Sequence, residues 1–250
     1  MNVHTLRPGR PDQQPAFNLP TVIVWLSAAM IAIHVIRMFI LPARWDNLLM
    51  LYFAFWPVRY TPELFASSFA PGGLAADAWA FVTYAFLHGG AMHIIFNLLW
   101  MAIFGSAVAR RFGTARFLLL SGLCAVGGAV AHLVTHYGDT APVIGASAAV
   151  SGQMAAALRF VFELGGPLGA FRRSDSAAYY VPAVPLTQSL ANRQVLGFMA
   201  VWFGLNLFFG LMSTPLADGG ASIAWQAHIG GFLAGLALFP LLDPVPRRRF

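Results

Sequence analysis

The sequence predicts an all-α, polytopic membrane protein, a bundle of six transmembrane helices, and two observations carry this prediction. First, 58% of the 250 residues are hydrophobic and 10% are charged, whereas about 25% of the residues of a soluble domain are charged. Second, apolar stretches of about 20 residues, the length with which a helix crosses the hydrocarbon core, recur along the chain. A water-soluble fold is therefore excluded.

The first predicted span comprises residues 19–41. The polar residues before it lack the short apolar region and the cleavage site of a signal peptide, so we expect it to remain in the protein as an anchor. Five further spans follow, at residues 80–107, 117–136, 144–164, 194–212 and 222–242. They form one membrane domain at residues 19–242, between a polar N-terminal tail at residues 1–18 and a basic C-terminal tail at residues 243–250.

The long connection between the first two spans, residues 42–79, combines many aromatic side chains with prolines and glycines. Aromatic side chains favour the interface between membrane and water. We therefore predict a structured loop that lies partly in the outer leaflet.

The positions of the basic residues predict the orientation in the membrane. All fifteen are arginines; twelve lie at the termini or beside the connections that follow spans two and four, and three lie on the other side. Because arginine accumulates on the cytoplasmic side, we expect both termini in the cytoplasm, in a multi-pass protein of a bacterial inner membrane. The arginines are dispersed at membrane boundaries, which argues against nucleic acid as a partner and favours membrane lipids.

Polar side chains at membrane depth are costly, so each one is a hypothesis of a functional site. At the outer end of span two, His93 and Asn97 are four residues apart and share a helix face, with His88 shortly before them. Ser147 stands near the outer start of span four, and His228 lies in span six. For each group alone, hydrogen bonding between helices or close helix packing is the more ordinary explanation.

Taken together, these groups fit nucleophilic catalysis. A serine nucleophile needs a base within hydrogen-bond reach and donors for the oxyanion, and Ser147, His228 and the pair His93 and Asn97 all fall in the outer half of the membrane. His228 shares its helix face with glycines three and seven residues later, so that face can pack closely against another helix. No acidic residue lies at this depth, and a two-residue Ser-His site is therefore predicted.

Three motifs resemble those of the rhomboid family of intramembrane serine proteases, in the family's order. They are His88, His93 and Asn97 in an HxxxxHxxxN pattern; Gly145, Ala146, Ser147 and Ala148 in a GxSx pattern; and Ala227, His228, Gly231 and Gly235 in an AHxxGxxxG pattern. The resemblance covers all six spans. It departs from the common pattern at Ala148, where many members have glycine, and at Ser151, where members often have an aromatic residue.

The resemblance implies cleavage of transmembrane segments of membrane proteins near the outer leaflet. It makes Ser147 the nucleophile and His228 the base, while His93 and Asn97 bind the oxyanion beside the Ser147 backbone N–H. The implied substrates are transmembrane proteins, and neither a cofactor nor a metal is implied. The residues implied as structural support are His88, Gly145, Gly231 and Gly235.

Three other functions stay open. A catalytically inactive rhomboid-like protein would bind transmembrane helices without cleaving them, and would need neither Ser147 nor His228. Zinc bound by His88, His93 and His228 as neutral imidazoles is a second alternative, although the chain has no HExxH helix and Ser147 would have no role. A transporter or channel is disfavoured, because charge within the spans is almost absent and no repeated pair of broken helices is found.

Overall fold

The computed structural model describes residues 18–63, 71–169, 175–212 and 224–246. In these ranges the regular secondary structure is helical apart from one isolated β-bridge, so the all-α prediction is confirmed. Most of the predicted tails, at residues 1–18 and 243–250, lies outside the described residues. Three helical segments within these ranges are long and apolar enough to cross a membrane: Thr21–Ile40, Ala91–Thr135 and Trp225–Leu242. The count of six spans stays a prediction.

Helix α1 comprises Thr21–Val35 and continues through a π-helical turn at Ile36–Ile40. Pro20 precedes its first residue, where the missing N–H of proline costs no helical hydrogen bond. The helix ends before Pro42 because the residue that precedes a proline is pushed towards an extended backbone, as Leu41 is, with φ −76° and ψ 131°. The first predicted span matches this segment.

The connection after α1 is folded. Arg59 donates to the Asp77 carboxylate at 2.7 Å, and both side chains are buried. Burial and the neighbouring Asp77 carboxylate raise the pKa of Tyr60, so its hydroxyl stays protonated and donates to the Asp77 carbonyl at 2.8 Å. A β-bridge between Phe55 and Val143 ties the connection to the chain just before Ser147. Its elements are α2 (Ala43–Phe53), a 3₁₀ turn (Pro57–Tyr60), α3 (Gly73–Thr83) and a second 3₁₀ turn (Tyr84–Phe86).

The predicted start of span two, at residue 80, is wrong. The chain leaves the helix after Phe86, and α4 begins only at Ala91, runs to Trp100 and continues through a π-helical turn at Met101–Gly105. The apolar pattern hides this break, although two consecutive glycines at 89 and 90 each cost a helix about 1 kcal/mol relative to alanine. The break leaves His88 in the non-helical chain, three residues before α4 begins.

Helix α5, Ser106–Thr135, follows directly and is interrupted at Gly113, whose φ of 73° and ψ of 167° are not helical. A positive φ of this kind is adopted readily only by glycine. Gly113 therefore divides the long segment Ala91–Thr135 into two lengths, which correspond to predicted spans two and three.

Helix α6, Ser147–Ala157, lies at the centre of the described fold, because every residue in it after Ser147 is buried. Predicted span four, residues 144–164, is too long as a helix: α6 has 11 residues. An apolar run of this length is typical of a helix enclosed by protein. After Ala157 the chain tightens into turns, in which the Arg159 N–H donates to the Ala156 carbonyl at 3.3 Å and the Phe160 N–H to the Ala157 carbonyl at 3.0 Å.

Helices α7 (Leu186–Ala191), α8 (Arg193–Met212) and α9 (Trp225–Leu242) follow α6 in the described chain. Helix α9 packs most extensively against α5 and α6. A Cβ at Gly231 would lie 2.1 Å from the Ala148 carbonyl oxygen, and one at Gly235 would lie 2.3 Å from a carbonyl oxygen of α6. Backbone contact thus sets the spacing between α9 and α6. Just after α9, the Asp243 carboxylate accepts two hydrogen bonds of 2.8 Å from the Arg111 side chain.

Candidate active site

The predicted nucleophile follows a turn at Gly145. This residue has a φ of +116°, which side chains rarely adopt, and its N–H donates to the Tyr84 carbonyl at 3.0 Å. A Cβ at the same position would lie 2.5 Å from Nε2 of His93. Glycine is therefore required both by the backbone and by the adjacent imidazole, and the turn brings His93 next to the start of α6.

Ser147 is the first residue of α6 and is half-buried. The first helical hydrogen bond runs from the Val150 N–H to the Ala146 carbonyl at 2.9 Å, so the N–H groups of Ser147, Ala148 and Ala149 have no partner within the helix. No side chain caps this end. These donors, with the positive end of the helix dipole, can stabilise an oxyanion formed at Ser147.

His228 lies in the first turn of α9, beside the first turn of α6. A Cβ at Gly128 of α5 would lie 2.4 Å from the Ala148 Cβ and 2.7 Å from the Ala227 carbonyl oxygen. The residues adjacent in sequence to Ser147 and His228 therefore meet at one point. Among the described residues no hydrogen bond joins the Ser147 hydroxyl to the His228 ring; catalytic hydrogen bonds are often long in the absence of substrate.

The tautomer of His93 follows from its hydrogen bond. The Gly89 N–H donates to Nδ1 of His93 at 3.4 Å, so in the neutral ring Nδ1 carries the lone pair and Nε2 carries the proton. Nε2 is also the His93 atom closest to the Cβ position of Gly145. His93 thus presents an N–H donor to the turn that precedes Ser147.

His88 is fully buried and packs edge-on against His93, with ring centroids 5.1 Å apart. Its backbone carbonyl accepts a hydrogen bond of 3.1 Å from Arg37, which also pairs with Asp46 at 2.7 Å. The buried Asn97 amide donates to the His93 carbonyl one turn earlier, at 2.9 Å. His88 therefore links His93 to α1 and α2, whereas this bond of Asn97 stays within α4.

The three histidines of the zinc alternative do not make a ligand set. Throughout the described ranges, no group of three His, Cys, Asp or Glu side chains is arranged to hold a metal ion. His88 and His93 instead meet edge to face.

Sequence reasoning missed Asn206. Its Oδ1 lies 2.5 Å from Nδ1 of His228, and its Nδ2 donates to the Trp202 carbonyl at 2.8 Å. Asn206 stands in the middle of predicted span five, residues 194–212. The rule that treats a polar residue at membrane depth as a functional hypothesis would therefore have found it.

Comparison with known proteins decides the family. Residues 75–243 match the model of the Rhomboid domain, which is more than half of the chain. The chain belongs to the rhomboid family. The matched part of this rhomboid protein contains all three motifs, from His88 to Gly235.

This rhomboid protein is similar to the Rhomboid protease GlpG of Klebsiella pneumoniae (strain 342), with 28% identity over 165 residues that cover 66% of the chain and 49% of the relative. The Rhomboid protease GlpG of Enterobacter sp. (strain 638) is 29% identical over 163 residues, which cover 65% of the chain and 48% of the relative. The chain spans about half the length of the curated relatives it matches.

Proposed function

We propose that this rhomboid protein is an intramembrane serine endopeptidase that cleaves transmembrane segments near the outer leaflet, with Ser147 as nucleophile and His228 as base. One observation carries the proposal: the backbone of Ala148, next to Ser147, packs against Gly231, one turn after His228, and Gly128 of α5 lies against both Ala148 and Ala227. Helix packing alone does not require a serine, an imidazole or uncapped N–H donors where α6 meets α9. The similarity to Rhomboid protease GlpG supports the same activity.

In the proposed mechanism, Oγ of Ser147 attacks the carbonyl carbon of the scissile peptide bond while Nε2 of His228 accepts the hydroxyl proton. The resulting tetrahedral intermediate collapses, the carbon–nitrogen bond breaks, and His228 gives the proton to the leaving amine. A water molecule then attacks the acyl-enzyme, with His228 again accepting a proton. The second tetrahedral intermediate collapses, the bond between the carbonyl carbon and Oγ breaks, and His228 returns its proton to Oγ, which releases the acid product and restores the Ser147 hydroxyl.

Two of the proposed oxyanion donors lie at the start of α6, and the third is the Asn97 amide. The Ser147 N–H has no helical partner, and the Nε2–H of His93 lies beside the turn at Gly145. The Asn97 amide has a second hydrogen besides the one that it donates to the His93 carbonyl. Each such donor is worth about 10²- to 10³-fold in rate.

The proposed substrates are membrane proteins whose transmembrane segments contain helix-breaking residues. Helical hydrogen bonds engage the backbone of a membrane span, so a segment must unwind before Ser147 can reach a carbonyl carbon. Proline or glycine lowers the cost of unwinding. In the proposed topology, six spans lie in residues 19–242 and cross a bacterial inner membrane, with both termini in the cytoplasm. The site lies towards the outer side of the membrane, from which water enters. Membrane lipids surround the domain, and no cofactor or metal takes part.

The first test is labelling of the purified full chain with a fluorophosphonate, which reacts with activated serines. Native protein is compared with Ser147→Ala and His228→Ala, and the matched controls are Ser151→Ala and His136→Ala, which remove the same residue types nearby. We expect label on native protein and on both controls, and none on the two site variants.

Label that persists in Ser147→Ala would overturn the assignment of the nucleophile. A folded native protein that takes no label, does not cleave a reconstituted single-span peptide in liposomes, and still binds that peptide after Ser147→Ala would favour the catalytically inactive alternative.

A further inference from the structure

The His228 ring is hydrogen-bonded from another helix. Its Nδ1 lies 2.5 Å from Oδ1 of Asn206, which belongs to α8. The Asn206 amide is itself oriented, because its Nδ2 donates to the Trp202 carbonyl at 2.8 Å one turn earlier. The oxygen rather than the nitrogen of the amide therefore contacts the imidazole, and an amide oxygen only accepts hydrogen bonds.

An acceptor at Nδ1 determines the tautomer of His228. In the neutral ring Nδ1 then carries the proton and Nε2 carries the lone pair. Nε2 is the atom that accepts the Ser147 proton in the proposed mechanism. In the opposite tautomer Nε2 would carry a hydrogen, and the ring would have no lone pair to offer the serine from that side.

Few other groups hold this ring. The residues three and seven positions after His228 on its helix face are Gly231 and Gly235, which have no side chains. In the part of the chain that the structure describes, no aromatic ring stacks on His228. The Ser151 hydroxyl, one turn after the nucleophile, donates to the Ser147 carbonyl at 2.7 Å. Asn206 is therefore the polar group that orients the ring.

We infer that Asn206 is a positioning residue for the base: it holds His228 in the Nδ1–H tautomer and stabilises the imidazolium ion that forms when Nε2 takes the serine proton. A carboxamide oxygen serves a catalytic histidine in this way in Cys-His-Asn proteases. The inference rests on the proposed function, and it extends the predicted Ser-His pair to a Ser-His-Asn site.

The test compares two changes of Asn206. Asn206→Leu removes the acceptor and keeps the branching at Cγ, whereas Asn206→Asp keeps an acceptor oxygen in the same place. Leu205→Ala is the matched control, because its side chain is exposed on the same helix. The maximal rate of labelling by the fluorophosphonate, the probe concentration at half-maximal rate, and the Tm are measured for each protein.

We expect Asn206→Leu to lower the maximal labelling rate about 10- to 100-fold, because the base loses its orientation and its preferred tautomer. The half-maximal probe concentration and the Tm stay close to native. Asn206→Asp recovers most of the rate, and Leu205→Ala is unchanged. A native rate in Asn206→Leu, or an Asn206→Asp rate as low as that of Asn206→Leu, overturns the inference.

A second measurement uses the native sequence and does not depend on the folding of an Asn206 variant. The chain is labelled with ¹⁵N at histidine, and the His228 signals are assigned by their loss in His228→Ala. At neutral pH we expect a protonated Nδ1 and an unprotonated Nε2; the reverse tautomer overturns the inference. Failure of the native chain to label overturns the proposed function, whereas native labelling with an unaffected Asn206→Leu overturns only the positioning role.

Discussion

His93 and His228, the two histidines assigned direct chemical roles in the proposed active site, differ in the hydrogen bond at Nδ1. Nδ1 of His93 accepts from the backbone N–H of Gly89, so its Nε2 is a donor. Nδ1 of His228 is bonded to Oδ1 of Asn206, so its Nε2 is an acceptor. One imidazole is therefore suited to bind a negative oxygen and the other to remove a proton. The partner at Nδ1, rather than the residue type, therefore determines the chemistry of each ring.

The two partners also differ in their distance along the chain. Gly89 is four residues from His93, in the break just before α4, whereas Asn206 is 22 residues from His228 and belongs to a different helix. The donor tautomer is thus fixed locally, and the base tautomer depends on the packing of α8 beside α9. Variants that remove each ring, or that move the helices, test this contrast.

Removal of the proposed base has the largest expected effect. His228→Ala leaves Ser147 without a proton acceptor, and we expect the rate of fluorophosphonate labelling to fall by at least about 10⁴-fold. The rate is measured on full-length protein in detergent at neutral pH, with His136→Ala as the control. A loss smaller than that of an oxyanion-donor variant would show that His228 is not the base.

Removal of the proposed oxyanion donor has the second largest expected effect. His93→Ala deletes the Nε2–H beside the turn at Gly145, and we expect a fall of about 10²- to 10³-fold in the maximal rate of cleavage of a reconstituted single-span peptide. His93→Gln retains an N–H donor and loses less. Met92→Ala, whose side chain is exposed, is the control. Equal losses in His93→Ala and His93→Gln would contradict the donor role.

A change in helix spacing has a smaller effect, seen first in stability. A Cβ at Gly231 would lie 2.1 Å from the Ala148 carbonyl oxygen, which is backbone and cannot move aside alone. We expect Gly231→Ala to lower the free energy of unfolding in detergent by about 1–3 kcal/mol and to lower the labelling rate with it, because α9 is displaced from α6. Gly122→Ala in α5 is the matched control, since nothing lies within 4 Å of its Cβ position. A more stable Gly231→Ala protein would refute the backbone contact.

Much of this site could be predicted because its members carry signals in the sequence. Ser147 and His228 are polar residues in apolar segments, and the glycines after His228 repeat at helical spacing, so a close helix contact was predictable. Asn206 carries the same signal, a polar residue in an apolar segment, and the rule on polar residues at membrane depth points to it as a candidate. Its partner could not be predicted, because the contact with His228 joins two helices and no local pattern in the sequence encodes it.

The length of α6 could not be predicted for a different reason. Hydropathy measures how apolar a segment is, and a helix enclosed by protein is as apolar as one enclosed by lipid. The 11-residue α6 was therefore predicted as a full span, and the start of α4 at Ala91 was hidden by the apolar residues around Gly89 and Gly90. The requirement for glycine at 145 has two causes, and only the structure reveals the second, the His93 ring beside it.

The smallest expected effect is that of Ser151→Ala. The Ser151 hydroxyl donates to the Ser147 carbonyl in its own helix, and such a bond contributes little to a helix in which alanine is the better former. We expect the free energy of unfolding to change by less than about 0.5 kcal/mol and the labelling rate to stay at the native value, in contrast to Asn206→Leu. Both quantities are measured side by side for the two variants. A labelling rate as low in Ser151→Ala as in Asn206→Leu would mean that His228 is positioned from α6, and the contrast between a locally fixed donor and a base fixed from α8 would no longer hold.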